Sequence, residues 1–267
     1  MNGKVYLVGA GPGDPELLTL KAARLLASAD VVLHDSLVSK EVLTMVSRDA
    51  ETIDVGKRAG KKLLTQDEIN SLLVSYARRG KIVVRLKGGD PLLFGRAGEE
   101  MEALRRAGVA FEISPGITAA VGAAAAAKIS MTDRRVASQV LFTTFSRGDT
   151  APLVDDGLNW AAITPETTIA IYMPGIRYGE VAARLVENGL APETPCVVVS
   201  QATRPEQQVC WTNVAALAGQ QHLPAPAILL VGKIAAQHFQ QMSIGVRPQM
   251  LAAEQAALAG SDVQKKN

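Results

Sequence analysis

Short aliphatic runs alternate with longer amphipathic stretches through the first 115 residues of the chain. The runs at Lys4–Val8, Val31–Leu33, Thr52–Val55, Ile82–Leu86 and Phe111–Ile113 are bounded by Gly, Pro, Asp or Ser, which marks them as strands. Between them, apolar residues three and four apart predict helices over Leu17–Ala27, Gln66–Arg79 and Ala97–Arg106. Strands that are apolar at nearly every position are buried on both faces. Alternation of such strands with helices implies a mostly parallel sheet covered by helices.

After Pro115-Gly116-Ile117-Thr118 the pattern changes. An Ala-rich helix runs to about Ala127, its small side chains permitting close packing against a neighbour. Strands are predicted at 139–144, 167–172, 195–200, 207–212 and 227–231, with a helix over Tyr178–Glu187 that Asn188-Gly189 stops. Cys196–Ser200 and Gln208–Thr212, joined by a short polar segment, read as an antiparallel hairpin, so this sheet should be mixed. Residues 146–157 read as an exposed loop, and after residue 243 a polar, Ala/Gln-rich tail is expected. The fold expected is α/β in two parts. An N-terminal α/β domain at 1–115 carries a mostly parallel sheet, a C-terminal α/β domain at 116–242 a mixed one, and 243–267 is the tail. A ligand would bind in the cleft between the domains.

The 267 residues suffice for two small domains with real cores, and 48% hydrophobic against 20% charged residues excludes a disordered chain. With 4% aromatic residues and a net charge of +2, neither base-stacking platforms nor a global field call for nucleic acid. Cys196 and Cys210 lack CxxC spacing and a nearby histidine, so no metal site and a reducing compartment are expected. The chain starts directly in a strand and holds no apolar run of membrane-spanning length. A soluble, cytoplasmic protein is the expectation.

Candidate chemistry gathers at 81–100, KIVVRLKGGDPLLFGRAGEE. A buried strand ends at Gly88-Gly89-Asp90-Pro91, where bare backbone can approach a ligand, and Arg96, Glu99 and Glu100 open the next helix. The first strand ends in a second glycine loop, Gly9-Ala10-Gly11-Pro12-Gly13-Asp14-Pro15. It fails as a dinucleotide fingerprint, because Asp14 stands where the third glycine belongs and two prolines remove backbone donors. No Gly-Lys-Ser/Thr follows, so phosphate is not its target.

Seven segments then carry a resemblance along nearly the whole chain to about residue 240: VYLVGAGPGDPELLTLKA, VVLHDSLVS, VGKRAG, VVRLKGGDPLLFGRAGEE, SPGITAA, IYMPG and ATRPEQQV. In this order they resemble the tetrapyrrole methylase superfamily, in its branch that methylates uroporphyrinogen III. The resemblance implies a homodimer with S-adenosylmethionine bound in the interdomain cleft. It implies methylation of uroporphyrinogen III at C2 and C7 to precorrin-2, which feeds sirohaem, cobalamin and haem d1. Cofactor contacts implied by motif are Pro12, Gly88, Gly89, Asp90, Leu93, Thr118, Ala119, Met173 and Ala202. Asp35 and Lys57 match positions of a proton acceptor and donor. Arg96, Glu99 and Arg134 match positions in substrate binding or catalysis, and Met173 is assigned to the substrate as well.

The chemistry suits these residue types. The pyrrole carbon is its own nucleophile, so the protein mainly aligns carbon, methyl and sulfur, and a carboxylate such as Asp35 or Glu99 takes up charge or a proton. The substrate's eight carboxylates call for cations, which Lys57, Arg58, Lys61 and Lys62, then Arg134 and Arg135, then Arg96 offer. His34 reads as a packed histidine at a strand end rather than a partner of Asp35, since neighbours on a strand face opposite ways. Thr132-Asp133-Arg134-Arg135-Val136 departs from the family's Thr-His-Arg-Asp-Tyr, and Lys62-Leu63 from its His-Ser, both in the substrate region. These departures keep a second reading open, a methylase acting on a later precorrin. A binding protein that has lost turnover is the non-enzymatic rival.

Overall fold

The structure is a computed structural model that describes residues 3–58, 61–62, 64–144 and 163–236, without the side chains of 57–58 and 61–62. Two five-stranded sheets organise it. The first is built from β1 (Lys4–Gly9), β2 (Val31–His34), β3 (Glu51–Asp54), β6 (Ile82–Lys87) and β7 (Ala110–Ser114), in the order β3-β2-β6-β1-β7 and parallel throughout. Between β3 and β6 lie a ribbon, β4 (Lys57–Arg58) with β5 (Lys61–Lys62), and helix α3 (Gln66–Arg78).

Alternate residues of the central strands supply the two faces. Val5, Leu7, Leu33 and Val83 pack under α3 and α4 (Ala97–Arg106), through Leu73 and Leu104. Val8, Val32, Val84 and Leu86 pack under α1 (Leu20–Ser28), through Ala22 and Leu26. Each fully buried Leu or Val contributes roughly 1.5–3 kcal/mol over leaving it in water. Because α1 crosses one face and α4 the other, the loops after β1 and β6 part in opposite directions. That divergence is the place where open α/β sheets bind ligands.

The second sheet has the order β11-β10-β12-β9-β8, from β8 (Gln139–Thr144), β9 (Thr167–Tyr172), β10 (Pro195–Ser200), β11 (Gln208–Asn213) and β12 (Ala227–Val231). It is mixed as expected: β8 and β9 are parallel and the remaining pairs antiparallel, with the hairpin in the register Ser200↔Gln208. Helix α6 (Tyr178–Glu187) covers one face and the Ala-rich α5 (Ala119–Ala126) the other, where Ala120, Ala123 and Ala124 lie against Ala170, Val197 and Leu230.

Most predicted boundaries hold within a residue or two. The first helix is the exception, starting at Leu20 rather than Leu17. Asp14 caps a single turn at Pro15–Leu17 by accepting from the Glu16 amide, and Thr19 then caps α1 through the Ala22 amide at 3.1 Å. Two caps split what periodicity reads as one helix. The short helices α2 (Lys40–Leu43) and α7 (Val214–Leu217) were not expected from the pattern, nor was the β4–β5 ribbon. The loop at 146–157 and the tail after 243 fall outside the described residues.

Candidate active site

Four strand ends of the first sheet converge. Where the loops after β1 and β6 diverge, the Gly11 amide donates to the Gly89 carbonyl at 3.1 Å and the Gly89 amide to the Gly11 carbonyl at 2.8 Å. The Gly11 amide that would cradle a pyrophosphate in a dinucleotide site is therefore already spent on Gly89. The loop after β7 joins them. The Gly116 amide donates to Asp90 Oδ2 at 2.9 Å, while Asp90 Oδ1 accepts from the Leu92 amide at 2.8 Å. The approach is so close that a Cβ on Gly116 would lie 2.5 Å from the Gly89 carbonyl oxygen.

Asp35 enters from the end of β2. Its carboxylate accepts the Leu37 amide at 2.9 Å and the Gly88 amide at 3.2 Å, which pins it beside the Gly88–Asp90 loop. Gly56 packs against Ser36, so the backbone leading into Lys57 runs alongside the Asp35 turn. The side chains of Lys57, Arg58, Lys61 and Lys62 lie outside the described residues. His34 is buried at the end of β2 with Nδ1 3.1 Å from the Asp35 carbonyl oxygen.

Arg96 caps α4 in the left-handed region, φ 56°, a conformation rare outside glycine that tends to persist at functional sites. Its Nε and Nη2 donate to Glu99 at 2.7 and 2.6 Å in a half-exposed bidentate pair. The hydrogen bonds from Arg96 lower the Glu99 carboxyl below the usual range, and Glu99 in turn raises the guanidinium.

Behind this exposed pair sits a buried one. Glu100 Oε1 accepts from Arg85 Nε at 3.0 Å and Lys87 Nζ at 2.9 Å, and the three side chains are 0%, 5% and 4% exposed. Two cations share one anion. Burial, with Arg85 beside it, holds the Lys87 ammonium below the ordinary lysine range, although Glu100 and Asp35 oppose this. Sequence reading took Glu100 as one of a helix-opening pair and missed Lys87. Two cations, Arg85 and Lys87, in an otherwise aliphatic strand were the available signal.

The second sheet supplies an aromatic contact. Phe94, also at positive φ (52°), lies with its ring 4.9 Å from that of Tyr172 at the end of β9. The Tyr172 hydroxyl is 2.6 Å from Thr118 Oγ1 and accepts from the Ala120 amide at 3.3 Å. Burial raises its pKa. Met173 follows, half exposed at φ 51°, while Ala202 is buried in the loop after β10 and Pro12 packs against Gly122 of α5. Leu93 lies in the same loop as Phe94, its amide donating to the Asp90 carbonyl at 3.3 Å. Sequence reading passed over Tyr172, although a tyrosine closing a buried strand must find a hydroxyl partner.

Arg134 stands apart, exposed in the turn before β8. The neighbouring departures from the resemblance compensate each other: Arg135 binds Asp133 through Nε at 2.9 Å and Nη2 at 2.6 Å and holds that carboxyl at about 2. Arg135 is thereby removed from the expected cationic cluster. Among the described residues no group of three or more His, Cys, Asp or Glu is placed to hold a metal ion, and no helix is long and apolar enough to cross a membrane.

A parallel sheet whose strand-end loops meet backbone to backbone, facing a mixed sheet across an aromatic contact, defines the class. The chain belongs to the tetrapyrrole (corrin/porphyrin) methylase family, whose model matches residues 4–218. Siroheme synthase 1 of Yersinia enterocolitica is 48% identical over 250 residues, covering 92% of this chain and 52% of the relative. The chain thus spans about half the length of the siroheme synthases it matches. Uroporphyrinogen-III C-methyltransferase of Paracoccus denitrificans is 46% identical, with 88% of this chain and 82% of the relative covered. The crystal structure of uroporphyrin-III C-methyltransferase from Thermus thermophilus with S-adenosyl homocysteine superposes with a TM-score of 0.74, at 38% identity over 86% of this chain and 98% of that one.

Proposed function

We propose that this protein methylates uroporphyrinogen III at C2 and C7, with S-adenosylmethionine as donor, to give precorrin-2. The observation that carries the reading is the junction of Asp35, Gly88–Asp90 and Gly116–Thr118 at one sheet edge, in a chain 46% identical to a uroporphyrinogen-III C-methyltransferase. Their order and spacing fit the donor: the strand ends present backbone rather than side chains, and Phe94 and Met173 offer apolar surface beside them. The residues that would hold it are Pro12, Gly88, Gly89, Asp90, Leu93, Thr118, Ala119, Met173 and Ala202. When bound, the donor supplies an electrophilic methyl group.

The protein's own part is alignment and charge. Asp35, held by two backbone amides, takes the proton that the methylated pyrrole sheds, and Lys57 returns one. Glu99 fixes the plane of Arg96 and leaves Nη1 for a substrate carboxylate, with Arg134 as a second anchor. A cytoplasmic homodimer of two domains dividing near 115 completes the reading, with no membrane or nucleic-acid partner.

The test is anaerobic incubation with uroporphyrinogen III and S-adenosylmethionine, followed by mass and absorption. Gain of two methyl groups is expected. No transfer, with S-adenosyl homocysteine still bound by calorimetry, refutes the substrate and moves it to a later precorrin, the alternative that the departures at Asp133 and Arg135 keep open.

A further inference from the structure

One arginine of the second sheet reaches into the first. Arg204 lies in the connection from β10 to β11, and its Nη2 donates to the Leu37 carbonyl. Its side chain passes directly over Gly13, where a Cβ would lie 2.6 Å from Arg204 Cγ, so only glycine, here at φ 151°, leaves room. The neighbouring Thr203 Oγ1 accepts the Asp14 amide at 3.2 Å, and Ser39 Oγ donates to the Gly13 carbonyl. The connection itself is held in an unusual shape. Gln201 and Thr203 both have positive φ, 48° and 66°, and are tied by Gln201 amide to Pro226 carbonyl at 2.7 Å and Thr203 amide to Gln207 Oε1 at 2.8 Å. Such strain persists only where surrounding structure enforces it, and it concentrates at functional sites.

What Arg204 grips matters. Leu37 is held at both ends: its amide donates to Asp35 Oδ1 at 2.9 Å and its carbonyl accepts from Arg204. Its Cβ lies where a side chain on Gly88 would go, 2.7 Å from that position. Arg204 Nε is buried without a hydrogen-bond partner, and the guanidinium faces the charges of Asp35, Glu41 and Glu206.

We infer that Arg204 is a positioning residue for Asp35: reaching across from the second sheet, it fixes Leu37 and through Leu37 holds the Asp35 carboxylate against Gly88. The catalytic part of this inference rests on the role proposed for Asp35. Displacing a reacting group by about 1 Å can lower a rate on the order of a hundredfold.

The experiment compares the parent with Arg204→Ala and Arg204→Lys. Arg204→Ala should lower kcat by about tenfold or more, with S-adenosyl homocysteine affinity changed by less than about threefold. Millimolar guanidinium should restore much of the loss, since it fills the vacated slot over Gly13. Amide exchange over 35–39 should quicken. Arg204→Lys keeps the charge without the fork, should lie between the two, and serves as the test should Arg204→Ala fail to fold. Parent-like turnover, or a loss that guanidinium does not recover, overturns the inference. Should the parent itself not methylate uroporphyrinogen III, the proposed function fails instead, and exchange alone decides the clamp: unchanged protection over 35–39 overturns it.

Discussion

Replacing Glu100 by glutamine tests how the first sheet tolerates charge in its interior. Glu100 is fully buried and accepts from Arg85 at 3.0 Å, from Lys87 at 2.9 and 3.1 Å, and from Gln66 at 3.4 Å. Glu100→Gln keeps the shape and removes the anion that is hydrogen-bonded to both buried cations among the described residues. Breaking a buried pair in this way costs about 3–5 kcal/mol, against a total stability of about 5–15 kcal/mol for a typical domain. The melting temperature should fall by roughly 6–20 °C.

The deficit should also depend on pH. A lysine whose folded-state pKa lies below its ordinary value of 10.5 binds fewer protons folded than unfolded between those two values. Stability therefore rises with pH across that window, and below it the whole penalty is felt. Glu100 is one of the groups that raise the Lys87 pKa, so its loss lowers that pKa further and widens the window toward neutrality. Thermal melts followed by circular dichroism from neutral pH toward pH 10 should show the gap between variant and parent narrowing. The triple change Arg85→Met, Lys87→Met, Glu100→Leu should recover most of the lost stability, because well-packed apolar groups replace such clusters at little cost. A single Glu100→Gln variant melting within about 2 °C of the parent at neutral pH, with no narrowing on raising it, would refute the reasoning.

Tyr172→Phe removes the hydroxyl that Thr118 and the Ala120 amide share, so unfolding free energy should drop by about 1–2 kcal/mol and S-adenosyl homocysteine should bind more weakly by calorimetry. Unchanged affinity would detach Tyr172 from the site. Gly116→Ala places a methyl 2.5 Å from the Gly89 carbonyl oxygen and should cost about 1–3 kcal/mol in denaturant unfolding, whereas Gly98→Ala, with open space around it, should be neutral or slightly stabilising. Arg96→Ala should abolish turnover while S-adenosyl homocysteine affinity largely survives, and parent-like rates in that variant would remove Arg96 from the substrate site.

Local pattern carried the fold far. Strands 139–144, 167–172, 195–200 and 227–231 and helices 97–106 and 178–187 were readable to the residue, because uninterrupted aliphatic runs and amphipathic stretches meet turn chemistry at both ends. Failures came where a few polar residues decide the path, as at Asp14 and Thr19, or where a helix of one turn has no period to display, as at Lys40–Leu43. The site divides the same way. Asp35, Gly88–Asp90 and Gly116–Thr118 announce themselves as loops at strand ends. Arg204, Tyr172 and the Lys87–Glu100 pair depend on partners 13 to 167 positions away in the chain, which no local pattern encodes.

The crossing from β7 to α5 has a mechanical meaning. The Gly116 amide is fastened to Asp90 beside the first sheet, and Thr118 is fastened to Tyr172 on the second. Only Ile117 lies between the two anchors. At this crossing, turning one half of the molecule against the other becomes torsion about a single residue's backbone. Thr118 and Ala119, the residues proposed to touch the methyl donor, sit at the far end of that pivot. Under the proposed function, a donor that orders them stiffens this pivot, alongside the ties of Phe94 to Tyr172 and Arg204 to Leu37, and so couples the filled donor site to the space left for the substrate.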